Sequence, residues 1–171
     1  MAGSNQARHR YSGGSKAGKP RILIVTAPFY RHIAEKLLQG ARSAIDAEGW
    51  SWKEIEVPGA LEIPAAIGIA SKWERFDGYV ALGCVIRGET THYETVCNES
   101  ARGIMQLNLQ GACIGNGVLT VENEEQALER ADPGRGDKGG EAAEAAISLV
   151  SLRLGLTEPE MPSGPYGPGA G

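Results

Sequence analysis

The sequence contains few cysteines and no long hydrophobic run, and both absences exclude classes of protein. No stretch of the 171 residues approaches the roughly 20 consecutive apolar residues of a membrane-spanning helix, so we expect no membrane span. The three cysteines form no Cys-x-x-Cys pair and are odd in number, which favours reduced thiols in a cytoplasmic protein over a disulfide framework. Because the first 19 residues lack an apolar segment, we expect no secretory signal.

Basic residues are also in the minority. The chain has 17 Lys and Arg against 21 Asp and Glu, for a formal net charge of −4. Residues 1–19 contain four basic residues and no acid, and residues 157–171 contain two acids and no base, which leaves −6 for the segment between them. An acidic central segment argues against nucleic acid as a partner. Three scattered histidines do not form a metal site.

The composition of the two ends differs from that of the centre. Residues 1–19 mix basic side chains with Gly, Ser and Asn, and residues 157–171 place a proline at every third position from Pro159 to Pro168. Both compositions are typical of segments without a packed core. We therefore predict one domain over residues 20–156, between a disordered basic tail and a disordered tail rich in Pro and Gly.

Within the central segment, strand-like and helix-like patterns alternate. Arg21–Ala27 is a continuous apolar run typical of a strand buried on both faces, and Arg31–Glu48 repeats apolar residues at helical spacing before a stop at Gly49. The same reasoning predicts strands over Trp52–Val57, Gly78–Ile86 and Ala112–Val121, and helices from Pro64 to about Lys72, from a cap at Thr90 or Thr91 to about Leu109, from a cap at Asn123, and from Gly140 to about Leu154.

Strands that alternate with helices indicate a parallel sheet covered by helices on both faces. We therefore predict an α/β protein with three αβα layers and a flavodoxin-like four-stranded parallel sheet. Ligands of such proteins bind beyond the carboxyl ends of the strands. The functional residues should therefore lie in the loops that follow each strand.

Those loops contain the side chains best suited to chemistry. Phe29 follows the first strand, Glu62 the second, and Gly88–Thr91 followed by His92 the third. Free backbone N–H groups at a helix start suit a phosphate, and an imidazole can transfer protons near neutral pH. The residues indicate a small molecule that carries phosphate, and acid–base chemistry.

Each of these residues also has a purely structural interpretation. A phenylalanine after a strand can belong to the core, and Glu62 can simply favour the positive end of the next helix. His92 can be a surface histidine, and Arg130 and Lys138 can be solvated cations near a helix end. The residue types and spacings leave these alternatives open.

Several longer motifs make the sequence recognisable. In order, and with fitting spacing, they are Val57–Pro64, Gly83–His92, Val96–Glu99, Gly117–Ala127 and Asp137–Gly139. With these motifs the chain resembles the lumazine synthase family of riboflavin biosynthesis over about residues 20–156. The family condenses 5-amino-6-(D-ribitylamino)uracil with 3,4-dihydroxy-2-butanone 4-phosphate and releases phosphate and two waters. The resemblance implies that no cofactor or metal is required.

The resemblance also implies a role for each site residue. Phe29 would stack on the pyrimidine, and the backbone of Cys84, Val85 and Ile86 would read the edge of its ring. Ala60, Leu61 and Glu62 would hold the pyrimidine substrate and its ribityl chain. Asn116 occupies a position where some relatives have an aromatic residue, which leaves a second stacking wall in doubt.

For the phosphate, the resemblance implies a cradle of backbone N–H groups at Gly88, Glu89 and Thr90. Arg130 would add a guanidinium suited to phosphate, Lys138 a second cation, and His92 the proton donor. Members of the family form pentamers whose pockets lie between neighbouring subunits, so Asn116 and Arg130 would come from the next chain.

Two other readings of the same fold remain. An archaeal-type riboflavin synthase would dismutate lumazine, but it has no phosphate substrate for the Gly88–His92 loop. A low-activity paralogue would bind lumazine or flavin, or form a shell, without efficient catalysis. For assembly we expect a pentamer or a pair of pentamers without strand exchange, because the glycines before Pro20 make a poor strand.

Overall fold

The computed structural model describes residues 18–157, which fold as four strands and five helices in the predicted alternating order. The strands are β1 (Arg21–Thr26), β2 (Ser51–Glu56), β3 (Gly78–Ile86) and β4 (Ile114–Val121). The helices are α1 (Arg31–Ala47), α2 (Glu62–Trp73), α3 (His92–Leu109), α4 (Glu124–Ala131) and α5 (Lys138–Thr157). The predicted tails lie almost entirely outside the described residues.

The four strands form one parallel sheet in the order β2-β1-β3-β4. β1 and β3 are therefore central, and Ile22 to Thr26 of β1 pair with Gly78 to Leu82 of β3. Because all strands run the same way, their carboxyl ends meet at one edge of the sheet. The loops after β1, β2 and β3 are brought together there.

Alternate residues of the central strands supply two separate cores. Ile22 and Ile24 of β1 pack with α1, α4 and α5 on one face, whereas Leu23 and Val25 pack with α2 and α3 on the other. All four side chains are buried, as expected for a strand covered on both faces. The predicted α/β fold with three αβα layers is confirmed.

Contact between α1 and α5 depends on small residues. A Cβ atom added to Gly139, in the first turn of α5, would overlap the backbone carbonyl of Leu37 in α1. Asp137, with a φ of 42°, precedes the helix, and its Oδ1 accepts a hydrogen bond from the Gly140 N–H at 3.1 Å. This cap explains why α5 begins at Lys138 and not at Gly140, the predicted start.

The starts of α2 and β4 also differ from the predicted ones. α2 begins at Glu62 and not at Pro64, because the Glu62 N–H already donates to the carbonyl of Gly59 at 3.1 Å. β4 begins at Ile114 and not at Ala112, because Cys113 has a φ of 59° and leaves the extended conformation.

In residues 18–157 no helix is long and apolar enough to cross a membrane.

Candidate active site

A cleft of about 440 Å³ opens at the carboxyl ends of β1, β2 and β3. Its size lies in the range usual for small-molecule sites. The loop after each of the three strands contributes to its wall, and so does the first turn of α3. The lining residues are Phe29, Tyr30, Pro58, Gly59, Ala60, Leu61, Glu62, Cys84, Val85, Ile86, Gly88, Thr90, His92, Tyr93 and Val96.

Phe29 is a wall residue of the cleft and not part of the core. Its side chain is 73% exposed, and its ring meets the ring of Tyr30 edge to face with centroids 5.0 Å apart. An apolar ring left in water costs free energy of hydration that a flat ligand would recover by stacking on it. The exposure therefore favours the ligand-binding interpretation of Phe29 over the core interpretation.

The loop after β2 places a carboxylate beside exposed backbone. Glu62 is the first residue of α2 and is exposed to solvent. A Cβ atom added to Gly59 would lie 3.0 Å from Oε2 of Glu62, so the carboxylate folds back over the glycine. Leu61 is partly exposed and Ala60 is buried beside it. This loop can present a hydrogen-bond acceptor and a short apolar surface to one ligand.

The end of β3 contributes backbone groups more than reactive side chains. Cys84 is buried. Its burial, and to a smaller extent the nearby negative charge of Glu124, raise the pKa of its thiol to about 11. The thiol is thus protonated at neutral pH and is a poor nucleophile. Val85 and Ile86 are half-buried. The three residues can read a planar ring edge through their N–H and C=O groups.

The loop before α3 and the first turns of that helix form the remaining wall. Gly88, Thr90 and His92 line the cleft, and the His92 N–H donates to Oγ1 of Thr90 at 3.4 Å. The free N–H groups and the dipole of an 18-residue helix favour an anion at this end. Of the described residues in this loop, Glu89 is exposed and is not part of the cleft lining. A phosphate would therefore not meet the Glu89 carboxylate inside the cleft.

The remaining predicted site residues lie in a second groove beside β4. Asn116, Arg130 and Lys138 line it together. Arg130 donates to the carbonyl of Gln126 at 3.3 Å, and Lys138 pairs with Glu141 at 2.6 Å. The structure brings these three residues together with one another, but it does not bring them into the cleft of the same chain.

Five cleft residues were not among the candidates derived from the sequence: Tyr30, Pro58, Gly59, Tyr93 and Val96. Pro58 and Gly59 belong to the motif Val57–Pro64 and could have been inferred from it. Tyr93 and Val96 are one and four residues after His92, and the spacing of four places Val96 on the same side of α3 as His92.

In the described part of the chain, no three His, Cys, Asp or Glu side chains are arranged to hold a metal ion.

Most of the chain matches known proteins. Residues 19–153 match the family model for 6,7-dimethyl-8-ribityllumazine synthase. A protein of that name from Sphingopyxis alaskensis is 64% identical over 132 residues, which cover 77% of this chain and 94% of the relative. Relatives of the same name from Erythrobacter litoralis and Zymomonas mobilis are 60% and 57% identical over 78% and 80% of this chain, and over 95% and 99% of their own lengths.

Proposed function

This chain belongs to the 6,7-dimethyl-8-ribityllumazine synthase family, and from that premise we propose that the cleft around His92 is its active site. The enzyme is a transferase that condenses 5-amino-6-(D-ribitylamino)uracil with 3,4-dihydroxy-2-butanone 4-phosphate. The product is 6,7-dimethyl-8-ribityllumazine, and phosphate and water are released in this penultimate step of riboflavin biosynthesis. One observation carries the site assignment: a single cleft joins an exposed ring, a carboxylate, an imidazole and a helix N-terminus.

We assign the pyrimidine substrate to the side of the cleft formed by the loops after β1 and β2. Phe29 stacks on the ring, and the backbone of Cys84, Val85 and Ile86 pairs with its polar edge. Ala60, Leu61 and Glu62 hold the ring and the ribityl chain. The exposure of Phe29 and the position of Glu62 over Gly59 support this assignment.

We assign the phosphate of the second substrate to the N-terminus of α3. The N–H groups of Gly88, Glu89 and Thr90 bind its oxygens, and the helix dipole favours its negative charge. In this arrangement the ketone lies next to His92, the first residue of α3. Glu89 contributes its backbone only, because its side chain lies outside the cleft lining.

The chemistry needs orientation and proton transfer. The primary amine of the pyrimidine attacks the ketone to give a carbinolamine, which loses water to form an imine; phosphate is then eliminated, and the ring closes with loss of a second water. Each step moves a proton, and His92 can both donate and accept one. Holding amine and ketone together can contribute up to ~7–11 kcal/mol, whereas an acid–base group contributes roughly 10²–10⁴-fold.

We further propose that the active site is completed by a neighbouring subunit in a pentamer. Asn116, Arg130 and Lys138 lie in a groove apart from the cleft of their own chain, so a second copy has to present Asn116 to the pyrimidine, and Arg130 and Lys138 to the phosphate. Arg130 would bind the phosphate through its planar guanidinium.

Exposed apolar side chains on α2 and α3 support this self-association. Trp73 is 85% and Leu109 82% exposed, and Ile69 and Met105 are also mostly exposed. Large apolar side chains left together on a surface are typical of protein–protein contact sites. We propose a pentamer or a pair of pentamers without strand exchange, acting in the cytoplasm.

The direct test mixes purified protein with both substrates and follows lumazine absorbance and free phosphate together. We expect both products to appear at the same rate, above the uncatalysed background, and neither when either substrate is omitted. Folded protein that gives no acceleration would support a lumazine-binding or shell-forming paralogue instead. Conversion of lumazine alone to riboflavin would indicate a riboflavin synthase.

A further inference from the structure

Arg87 joins three parts of the structure immediately beside the cleft. It follows β3 directly, and its backbone N–H donates to the carbonyl of Val121 at the end of β4 at 2.9 Å. Its Nε donates to Glu122 at 2.8 Å, its Nη1 donates to Glu94, and its guanidinium lies 4.3 Å from the ring centroid of Tyr93. Arg87 itself does not line the cleft. It therefore acts on the surroundings of the cleft and not on a ligand inside it.

Both α3 partners of Arg87 are adjacent to His92 in the first helical turn. Tyr93 and Glu94 are the two residues that follow His92. The side chain of the N-cap residue, Thr91, makes no capping hydrogen bond within the described part of the chain. In α4, by contrast, Asn123 caps the helix through the Gln126 N–H at 3.0 Å. At the start of α3 the one such bond is the long one from the His92 N–H to Oγ1 of Thr90 at 3.4 Å, as far as the described residues show, and the contacts of Arg87 add to it.

We propose that Arg87 is a positioning residue for His92, acting through Glu94 and Tyr93 and anchored to the sheet through Glu122. This inference rests on the role of His92 proposed above. The planar guanidinium binds two carboxylates and stacks on a ring at once, which fixes orientation more strictly than a single ion pair does. It lowers the pKa of the Glu94 carboxyl, and the two glutamates raise the pKa of Arg87, so the contacts stay charged at neutral pH.

The contacts of Arg87 matter more for geometry than for stability. Its side chain is 41% exposed and those of Glu94 and Glu122 are 47% and 57% exposed, and exposed ion pairs contribute little to folding. Reaction rates, however, depend steeply on the placement of the reacting groups. Loss of Arg87 should therefore lower turnover without lowering the melting temperature.

The first experiment measures kcat for Arg87→Gln in the wild-type and in the His92→Ala background. We expect kcat to fall on the order of tenfold in the first background and less than about twofold in the second, because coupled residues are not additive. Equal falls in both backgrounds would show that Arg87 acts independently of His92 and overturn the inference. A raised KM for the phosphorylated ketone with unchanged kcat would make Arg87 a substrate-binding residue, with the same consequence.

A second double-mutant cycle, between Arg87 and Glu94, does not depend on the residual activity of His92→Ala. Glu94→Gln should lower kcat, and the double variant Arg87→Gln/Glu94→Gln should be no slower than Arg87→Gln alone. Multiplied effects would contradict the inference. Arg102→Gln is the matched control, because Arg102 lies on α3, the helix of Glu94, is exposed and pairs with Glu99; the kcat of this variant should equal that of the wild type.

Melting temperature and particle mass are recorded for every variant, and a change in either for Arg87→Gln would assign Arg87 a structural role instead. The outcomes separate the two proposals. A wild-type protein that forms no lumazine overturns the proposed function before any variant is compared. An active wild type with an equally active Arg87→Gln overturns the role of Arg87 alone.

Discussion

His92 is an exposed residue at the start of α3, where a ligand in the cleft would meet its ring. Because orientation of the two substrates supplies much of the acceleration, we predict that His92→Ala slows turnover roughly 10²–10⁴-fold without abolishing it. Steady-state lumazine formation measures this. His32→Ala is the control, since His32 lies outside the cleft and pairs with Glu124 at 2.6 Å. A folded His92→Ala variant that binds the pyrimidine but is wholly inactive would refute the claim that substrate orientation supplies much of the acceleration without His92.

The thiol of Cys84 gives a second prediction for a single side chain. Since its pKa is about 11 in the folded protein against 9.0 for a free thiol, the neutral form is present during catalysis. Cys84→Ala should therefore retain kcat within about twofold, because the thiolate is the reactive form and it is absent at assay pH.

The same thiol predicts a pH dependence of stability. A pKa raised on folding gives a contribution that is complete below about pH 9 and is lost as pH rises toward 11. Between pH 9 and 10, the melting temperature of the wild type should fall relative to that of Cys84→Ala. Thermal unfolding of both proteins measures this. If the melting temperatures of the two proteins changed in parallel with pH, that result would contradict a buried thiol that stays neutral.

At the scale of helices and strands, the contact between α1 and α5 depends on Gly139. A methyl group there would overlap the carbonyl of Leu37, whereas one at Gly68 in α2 would meet open space. We predict that Gly139→Ala destabilises by about 1–3 kcal/mol and that Gly68→Ala stabilises by about 0.5–1 kcal/mol. Chemical unfolding of the two variants in parallel measures this. Equal stabilities would mean that α5 can shift away from α1 without cost.

The order of elements was predictable because local periodicity specifies it. The apolar run of β1 and the helical spacing in α1 depend only on nearby residues, and Asn123 caps α4 as predicted. The start of α5 was not predictable, because it depends on a left-handed backbone at Asp137. Nor was the Arg87 cluster, since Glu122 lies 35 residues away in the chain and becomes a neighbour only when β3 and β4 pair.

The candidate site, too, was predictable only in part from the sequence. Convergence of Phe29, Glu62 and His92 follows from the parallel direction of β1, β2 and β3, which an alternating sequence already indicates. The placement of Asn116, Arg130 and Lys138 in a separate groove depends on how α4 and α5 pack beside β4. No local pattern encodes that packing, and only the resemblance implied that Asn116 and Arg130 would serve the site of a neighbouring chain.

For the whole molecule, we propose that a cleft on one subunit and a groove on the next form one active site. Arg130→Ala alone should raise the KM for the phosphorylated ketone, because it removes a cation from the phosphate, and leave the KM for the pyrimidine unchanged. An unchanged KM for the ketone would remove Arg130 from the phosphate site. Initial rates at varied ketone concentration measure it.

The most direct test of this account is complementation between two damaged subunits. His92→Ala and Arg130→Ala chains, carrying different tags, are co-expressed in equal amounts, and mixed particles are purified and assayed at low ketone concentration. If neighbouring subunits share each site, about one quarter of the sites regain both residues, and the mixed particles should be several times more active than either parent. Activity equal to the mean of the two parents would place His92 and Arg130 in the same chain's site and contradict the account.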